Sequence, residues 1–168
     1  MKFLKVLFLL ENDFEDLEFF YPFYRLEEES IEVLVASSDR ETKTGKHGYT
    51  VNPDLTYLEV IPEEFSALIV PGGRSPERVR INEEAVKIVR EFSDRIIAAI
   101  CHGPQLLVSA GLVKGLRLTA WIGIRDDLIA AGGVYEDKEV VVDGNIITSR
   151  MPDDLPVFCR EIIEKLKH

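Results

Sequence analysis

In this chain of 168 residues, the stretch IIAAICHGPQLLVSAG (96–111) concentrates the groups that could do chemistry. An apolar run ends at Cys101 and a Gly-Pro pair follows. Ala99 stands two residues before the cysteine and Gly103 two residues after it. A sharp strand-to-helix turn crowds those two positions, so a nucleophile displayed on such a turn needs small residues at both. Pro104 suits the first helical turn, where its missing N–H costs nothing. This turn points Sγ out of the sheet at the positive end of a helix, which favours thiolate over thiol. Cys101 therefore reads as a nucleophile. Cys159, the other cysteine, falls in an apolar helical stripe and reads as core.

Neighbouring residues supply candidate companions. The His102 ring can approach Sγ from the side and act as base, while its backbone N–H faces the place where an oxyanion would form. Gly72 and Gly73 close another apolar run in VPGGR, and two glycines let backbone N–H groups turn toward an anion. The acidic segment ENDFED (11–16) ends the first apolar run, and one of its carboxylates should lean toward Cys101. Beside a thiolate that group must be protonated, with a raised pKa, and donate to sulfur. Position alone leaves open which acid this is.

Alternating elements are needed to bring these loops together. Short all-apolar runs at 3–10, 31–37, 65–70 and 95–100 read as strands, as does 116–122, and 139–149 reads as a hairpin turning at Asp143-Gly144. Helices are expected from Glu15 to about Glu28 with a kink at Pro22, after an Asn82 cap, from Pro104 to Ala110, and at the C-terminus. In the last helix Leu155, Phe158, Cys159, Ile162, Ile163 and Leu166 form one stripe. Residues around HGYTVNPDL read as a small hairpin. The pattern implies an α/β three-layer sandwich, flavodoxin-like, with a mainly parallel sheet and a nucleophile elbow. Ligands in such folds gather at the carboxyl ends of the strands, where all the candidate loops fall.

Composition narrows the function classes. With 46% hydrophobic and 30% charged residues the chain reads as one globular domain over 1–168. A net charge of −10 with scattered basic residues disfavours nucleic acid and anionic membrane surfaces. The longest apolar run, at the start, is too short to span a bilayer and lacks a cleavage site, and two cysteines form no disulfide framework; a cytoplasmic location is expected. The acidic first turn excludes a dinucleotide or P-loop site. Pro71-Gly72 stand where a receiver domain would carry its aspartate, and no His-x-Glu follows late in the chain as a glutamine amidotransferase requires. No spaced His/Cys set suggests a metal, and no cofactor is expected.

The motifs AAICHGPQLL, VPGGRSPERVR, TGKHGY, GIRDD and EVVVDGN together resemble the ThiJ/PfpI superfamily, in particular its PfpI branch of intracellular cysteine proteases and protein or glyoxal deglycases. The resemblance runs from about Lys5 to the C-terminus. It implies a cysteine-dependent hydrolase whose thiolate attacks a carbonyl, with Cys101 as nucleophile, His102 beside it, and Gly73 with the His102 amide as oxyanion hole. It implies Glu15 as the glutamate hydrogen-bonded to the cysteine. Glu77 matches an acid that reaches the histidine of a neighbouring subunit, so the resemblance implies a homo-oligomer, a dimer or a trimer of dimers. Substrates of the branch are peptides, glycated proteins or glyoxals. Two features depart from the pattern: Ser30 replaces a helix-end glycine, and AWIG (120–123) replaces a Tyr-Pro pair, so that Trp121 reshapes the pocket with Gly72. The alternative reading is a redox-sensing or stress-response protein acting through oxidation of Cys101, its sulfinate held by protonated Glu15.

Overall fold

The structure is a computed structural model that describes residues 4–168; Phe3, the expected start of the first strand, lies outside the described residues. The strands are β1 (Lys5–Leu9), β2 (Glu32–Ser37), β3 (Lys43–Thr44), β4 (Thr50–Val51), β5 (Leu55–Thr56) and β6 (Ala67–Val70). They continue with β7 (Ile96–Ile100), β8 (Arg117–Leu118), β9 (Val134–Tyr135), β10 (Val141–Asp143) and β11 (Ile146–Ser149). The helices are α1 (Asp16–Glu28), α2 (Ser75–Arg80), α3 (Glu83–Glu91), α4 (Gln105–Ser109), α5 (Arg125–Ala130) and α6 (Leu155–Lys167).

Seven strands form one sheet in the order β10-β11-β7-β6-β1-β2-β5. Only the β10–β11 pair is antiparallel. Central strands are apolar on both faces because helices cover both. Val6, Phe8, Ile69, Ala98 and Ile100 meet Phe19 and Leu26 of α1 and Phe158 and Ile162 of α6. The alternate residues Leu7, Leu9, Leu68, Val70, Ile97 and Ala99 meet Val86 and Val89 of α3 and Leu106 and Leu107 of α4. This is the flavodoxin-like three-layer α/β fold that the strand pattern implies. Among the described residues no helix is long and apolar enough to cross a membrane.

Asn82 caps α3 as expected, its side chain accepting from the N–H groups of Glu84 and Ala85 at 3.0 and 3.4 Å. The hairpins at 43–51 and 141–149 also form. Other elements differ from the expectation. Helix α1 starts at Asp16 rather than Glu15, which is its N-cap, and reaches Glu28 with Pro22 inside it. Of residues 116–122, only Arg117 and Leu118 are strand, and they pair with β9 outside the main sheet. The rest of that segment is used against β11 and the elbow, with Thr119 N–H bonded to Thr148 Oγ1 and Trp121 N–H to the Cys101 carbonyl, both at 2.9 Å. Helices α2 and α5 have six residues each, too short to show a helical stripe in the sequence.

Register sets the site. Val70 lies beside Ala99, so the Gly72-Gly73 and Cys101 loops leave the sheet side by side. Cys101 has φ 62°, a left-handed backbone that side chains disfavour. It is held there from both sides: its N–H donates to the Ser149 carbonyl at 3.0 Å, and Gly103 N–H donates to the Ile100 carbonyl at 2.8 Å. A Cβ on Gly103 would stand 2.5 Å from the Val70 carbonyl oxygen and 2.9 Å from that of Ile100. Both obstacles are backbone and cannot step aside. Gly103→Ala should therefore cost about 2 kcal/mol or more of stability, read as a lower midpoint in denaturant titration with the slope unchanged.

Candidate active site

The loops after β1, β6 and β7 are stitched into one surface by main-chain bonds. Glu15 N–H donates to the Gly72 carbonyl at 3.1 Å and Arg74 N–H to the Asp13 carbonyl at 2.8 Å. Gly73, with φ 76°, fits under this crossing because a Cβ there would lie 2.5 Å from the Asp13 oxygen and the Glu15 nitrogen. Above the loops opens a cavity of about 460 Å³, lined by Cys101 and His102 together with Glu15, Glu18, Gly73 and Glu77 among others. Lys46, Arg74, Trp121 and Met151 also reach it.

Cys101 and His102 stand where the sequence places them. Sγ lies 3.3 Å from His102 Nδ1, and the backbone N–H groups of Gly73 and His102 both bond toward the sulfur. Cys101 belongs on the α1–α6 side of the core at its base and opens to the cavity at its tip. Cys159, in contrast, is buried within α6.

The carboxyl beside the cysteine is a correction to the sequence reading. Glu15 does not fill that place. It is the N-cap of α1, accepting from Leu17 N–H at 3.4 Å, and its Oε2 is taken by Lys46 Nζ at 2.7 Å with His47 Nε2 at 3.5 Å. One helical turn further, Glu18 is fully buried and interacts with the Cys101 side chain. Its Oε1 accepts from Gly72 N–H at 2.9 Å, while Oε2 has no hydrogen-bond partner in ordinary geometry. The signal was present in the sequence: Glu18 shares the buried face of α1 with Phe19, Pro22 and Leu26, and an acid on an apolar stripe needs a reason.

Gly72 likewise contributes differently from the expectation. It lies beneath the cavity rather than lining it, and a Cβ there would fall 2.5 Å from Glu18 Oε1 and 2.7 Å from the Cys101 Cβ. Only glycine lets the acid and the cysteine approach each other. Trp121 does line the cavity. Glu77 stands on its rim in α2, exposed and loosely paired with Arg74 at 3.8 Å. Among the described residues it makes no hydrogen bond to His102, whose ring bonds only to Cys101 Sγ.

Burial pushes Glu18 up to about 8, with Gly72 N–H pulling the other way and the charge of Glu15 adding to the rise. At neutral pH it is therefore mostly protonated. Burial and then the charge of Glu18 push the Cys101 thiol up, to about 12. The Gly73 and His102 N–H groups and then Lys46 act in the opposite sense. This reverses the expectation that the helix end would dominate: α4 has only five residues, and desolvation outweighs it. Protonation of Glu18 removes the repulsion and turns the acid into a donor. His102 is held below its usual range by burial and then by Lys46, against an opposing pull from Glu77, so its ring is neutral and can accept a proton.

A parallel α/β sheet with a cysteine on a left-handed strand-to-helix turn, beside a protonated acid, defines a cysteine-centred α/β protein. Comparison with known proteins narrows the class. The chain belongs to the DJ-1/PfpI family, whose pattern matches residues 4–165. It is 55% identical over 166 residues to the protein named deglycase PfpI of Pyrococcus furiosus, covering 98% of this chain and 100% of that one. It is 40% identical to the putative cysteine protease YraA of Bacillus subtilis, over 97% of this chain and 98% of that one. Among solved structures, a two-domain protein of Anabaena variabilis with DJ-1/ThiJ/PfpI-like and ferritin-like domains superposes with a TM-score of 0.96 at 40% identity. The match covers 98% of this chain and 48% of that protein, about half its length.

The buried acid has a thermodynamic signature. Its folded pKa, about 8, lies above the ordinary 4.5, so folding takes up a proton at Glu18 between those values. Stability associated with the neutral acid is complete below about pH 4.5 and is lost as pH rises toward 8. Glu18→Gln keeps an acceptor for Gly72 N–H and carries no such loss. Thermal melts should find it matching the wild type near pH 4.5 and more stable at pH 7, by up to about 3 kcal/mol.

Proposed function

We propose that the protein is a cytoplasmic cysteine-dependent hydrolase of the deglycase kind, acting on 2-oxoaldehydes and the adducts they form with protein amines. The observation that carries this reading is Cys101 Sγ, 3.3 Å from a neutral imidazole, under two N–H groups and beside a buried acid. The names of relatives support it, deglycase at 55% identity and putative cysteine protease at 40%. A cavity of about 460 Å³ favours a small carbonyl compound over an extended peptide.

In this reading the carbinolamine adduct first gives back its aldehyde: the C–N bond breaks and the hydroxyl proton leaves with the amine. The thiol then gives its proton to His102 Nδ1 and the thiolate adds to the aldehyde carbon. The Gly73 and His102 N–H groups stabilise the oxygen as charge gathers on it. The oxyanion takes the proton back from His102. The carbon skeleton remains on sulfur as a hemithioacetal. A proton shift from C1 to C2, carried by the neutral His102 ring, converts it to a thioester. Water then hydrolyses the thioester to a 2-hydroxy acid and regenerates the thiol. No cofactor enters this sequence of steps.

Glu77 belongs to the proposal as an acid supplied across an interface between copies of the chain. Its exposure on α2 and the lack of a carboxylate bonded to His102 among the described residues support that role. A redox reading of the same site draws support from Glu18 Oε2, an unpartnered oxygen that could donate to a Cys101 sulfinate. Peroxide that oxidises Cys101 and leaves a catalytically inert protein unchanged in every other assay would favour it.

Release of lactate from methylglyoxal and from methylglyoxal-treated peptides tests the enzyme reading. Cys101→Ala should lose at least about a thousandfold in kcat/KM. Equal rates for wild type and variant would overturn it. For the shared site, light scattering should find an oligomer and Glu77→Ala should lose about tenfold in activity. A fully active monomer would rule the interface role out.

A further inference from the structure

The loop TGKHGY places Lys46 at the site. Its Nζ is 2.7 Å from Glu15 Oε2, and its side chain lines the cavity that holds Cys101. The loop is fixed with unusual completeness for an exposed segment. Thr44 N–H donates to Asn12 Oδ1 and Asp13 N–H to the Thr44 carbonyl, both at 2.8 Å. Lys46 N–H donates to the Phe14 carbonyl at 2.9 Å and Gly45 N–H to the Tyr49 carbonyl at 2.8 Å. Asp16, a buried acid in the first turn of α1, closes the clamp. Its two oxygens accept from His47 N–H at 2.9 Å and Tyr49 N–H at 3.0 Å. A Cβ on Gly45 would fall 2.4 Å from Asp16 Oδ1, so glycine and aspartate are matched to each other.

The charges around the sulfur give this placement a purpose. Glu15 and Glu18 face it from α1, Lys46 and the exposed His47 from the loop, Arg74 and Glu77 from α2, and His102 from the elbow. Arg150, next to Met151 of the cavity wall, is committed to Asp137 and Asp154. Arg74 is exposed and pairs loosely with Glu77. His102 is neutral, so it forms no imidazolium partner for a thiolate before the proton moves. Lys46 is the cation that acts on Cys101, Glu18 and His102 alike.

We propose that Lys46 is the electrostatic partner of the Cys101 thiolate, anchored by Glu15, and that Asp16 is a positioning residue that acts through Lys46. The inference rests on Cys101 being a nucleophile and holds for any electrophile, so it stands apart from the choice of substrate. When the thiol loses its proton to His102, the new negative charge on sulfur faces a cation that is already in place. Glu15 keeps Lys46 charged and near the cavity without itself touching the sulfur.

Alkylation of the full chain by iodoacetamide tests this without a substrate. It is followed across roughly pH 5 to 10 by intact mass, with peptide mapping to separate Cys101 from Cys159. Lys46→Met should slow Cys101 alkylation about tenfold throughout that range. Lys46→Arg should recover most of the rate. The Glu15→Gln/Lys46→Met double variant, in which no carboxylate is left unpaired, should still react more slowly than wild type. Asp16→Asn should slow alkylation about threefold in the wild type and have no further effect on Lys46→Met. A Lys46→Met rate equal to wild type, or a Glu15→Gln/Lys46→Met double variant as fast as wild type, would overturn the role of Lys46. Equal slowing by Asp16→Asn with and without Lys46 would overturn its role as a positioning residue. Lys46 is half exposed and its replacement leaves no cavity, so the lysine variants carry the test even if Asp16→Asn fails to fold. A protein inert toward 2-oxoaldehydes would sink the proposed function and leave this measurement intact.

Discussion

The site depends on one backbone constraint, the left-handed turn at Cys101. A non-glycine residue at φ 62° carries a cost of about 1–2 kcal/mol, and the surroundings must hold it. Three segments do so: β11 accepts the Cys101 N–H, β7 accepts the Gly103 N–H, and residue 121 donates to the Cys101 carbonyl. Gly72, Gly73 and Gly103 vacate the space that the turn needs. The Cys101 sulfur, the N–H pair and the buried acid all take their positions from that turn. A shift of β6 against β7 by one residue would separate them.

Glu18 shows the second constraint, a conflict between stability and chemistry. Burying an ionisable group without a full set of partners is unfavourable, and one of its oxygens lacks any. The chain tolerates it because the proton can stay on, which turns a repulsive carboxylate into a donor next to sulfur. The neighbouring acid Glu15 answers the same pressure in another way, by pairing with Lys46 at the solvent edge. Two glutamates three residues apart thus differ in their surroundings, one buried against the cysteine and the other paired with a lysine. Environment alone separates them.

Much of this was legible in the sequence. The short apolar runs marked the central strands because burial on both faces leaves no room for polar residues. Asn82 marked the start of α3 because its side chain satisfies two N–H groups. The frame around Cys101 was readable because steric crowding admits only small residues there. What escaped depends on three-dimensional approach. The cysteine's acid is Glu18 rather than Glu15, since helix geometry turns the later residue inward while the earlier one caps the end. Strand periodicity in 116–122 misled because the segment is recruited by Cys101 and Thr148 instead of a sheet neighbour. Lys46 gave no signal in isolation: its placement comes from Asp16, thirty residues earlier in the chain, gripping the loop around it.

Trp121 is the only tryptophan in the chain, and its indole forms part of the cavity wall within one hydrogen bond of the Cys101 backbone. The protein's indole emission therefore originates at a single place, the wall of the cavity that holds Cys101. Binding, covalent capture or oxidation at Cys101 alters the surroundings of that ring directly. The molecule carries its own optical probe, and events at the sulfur can be followed in native protein without a label.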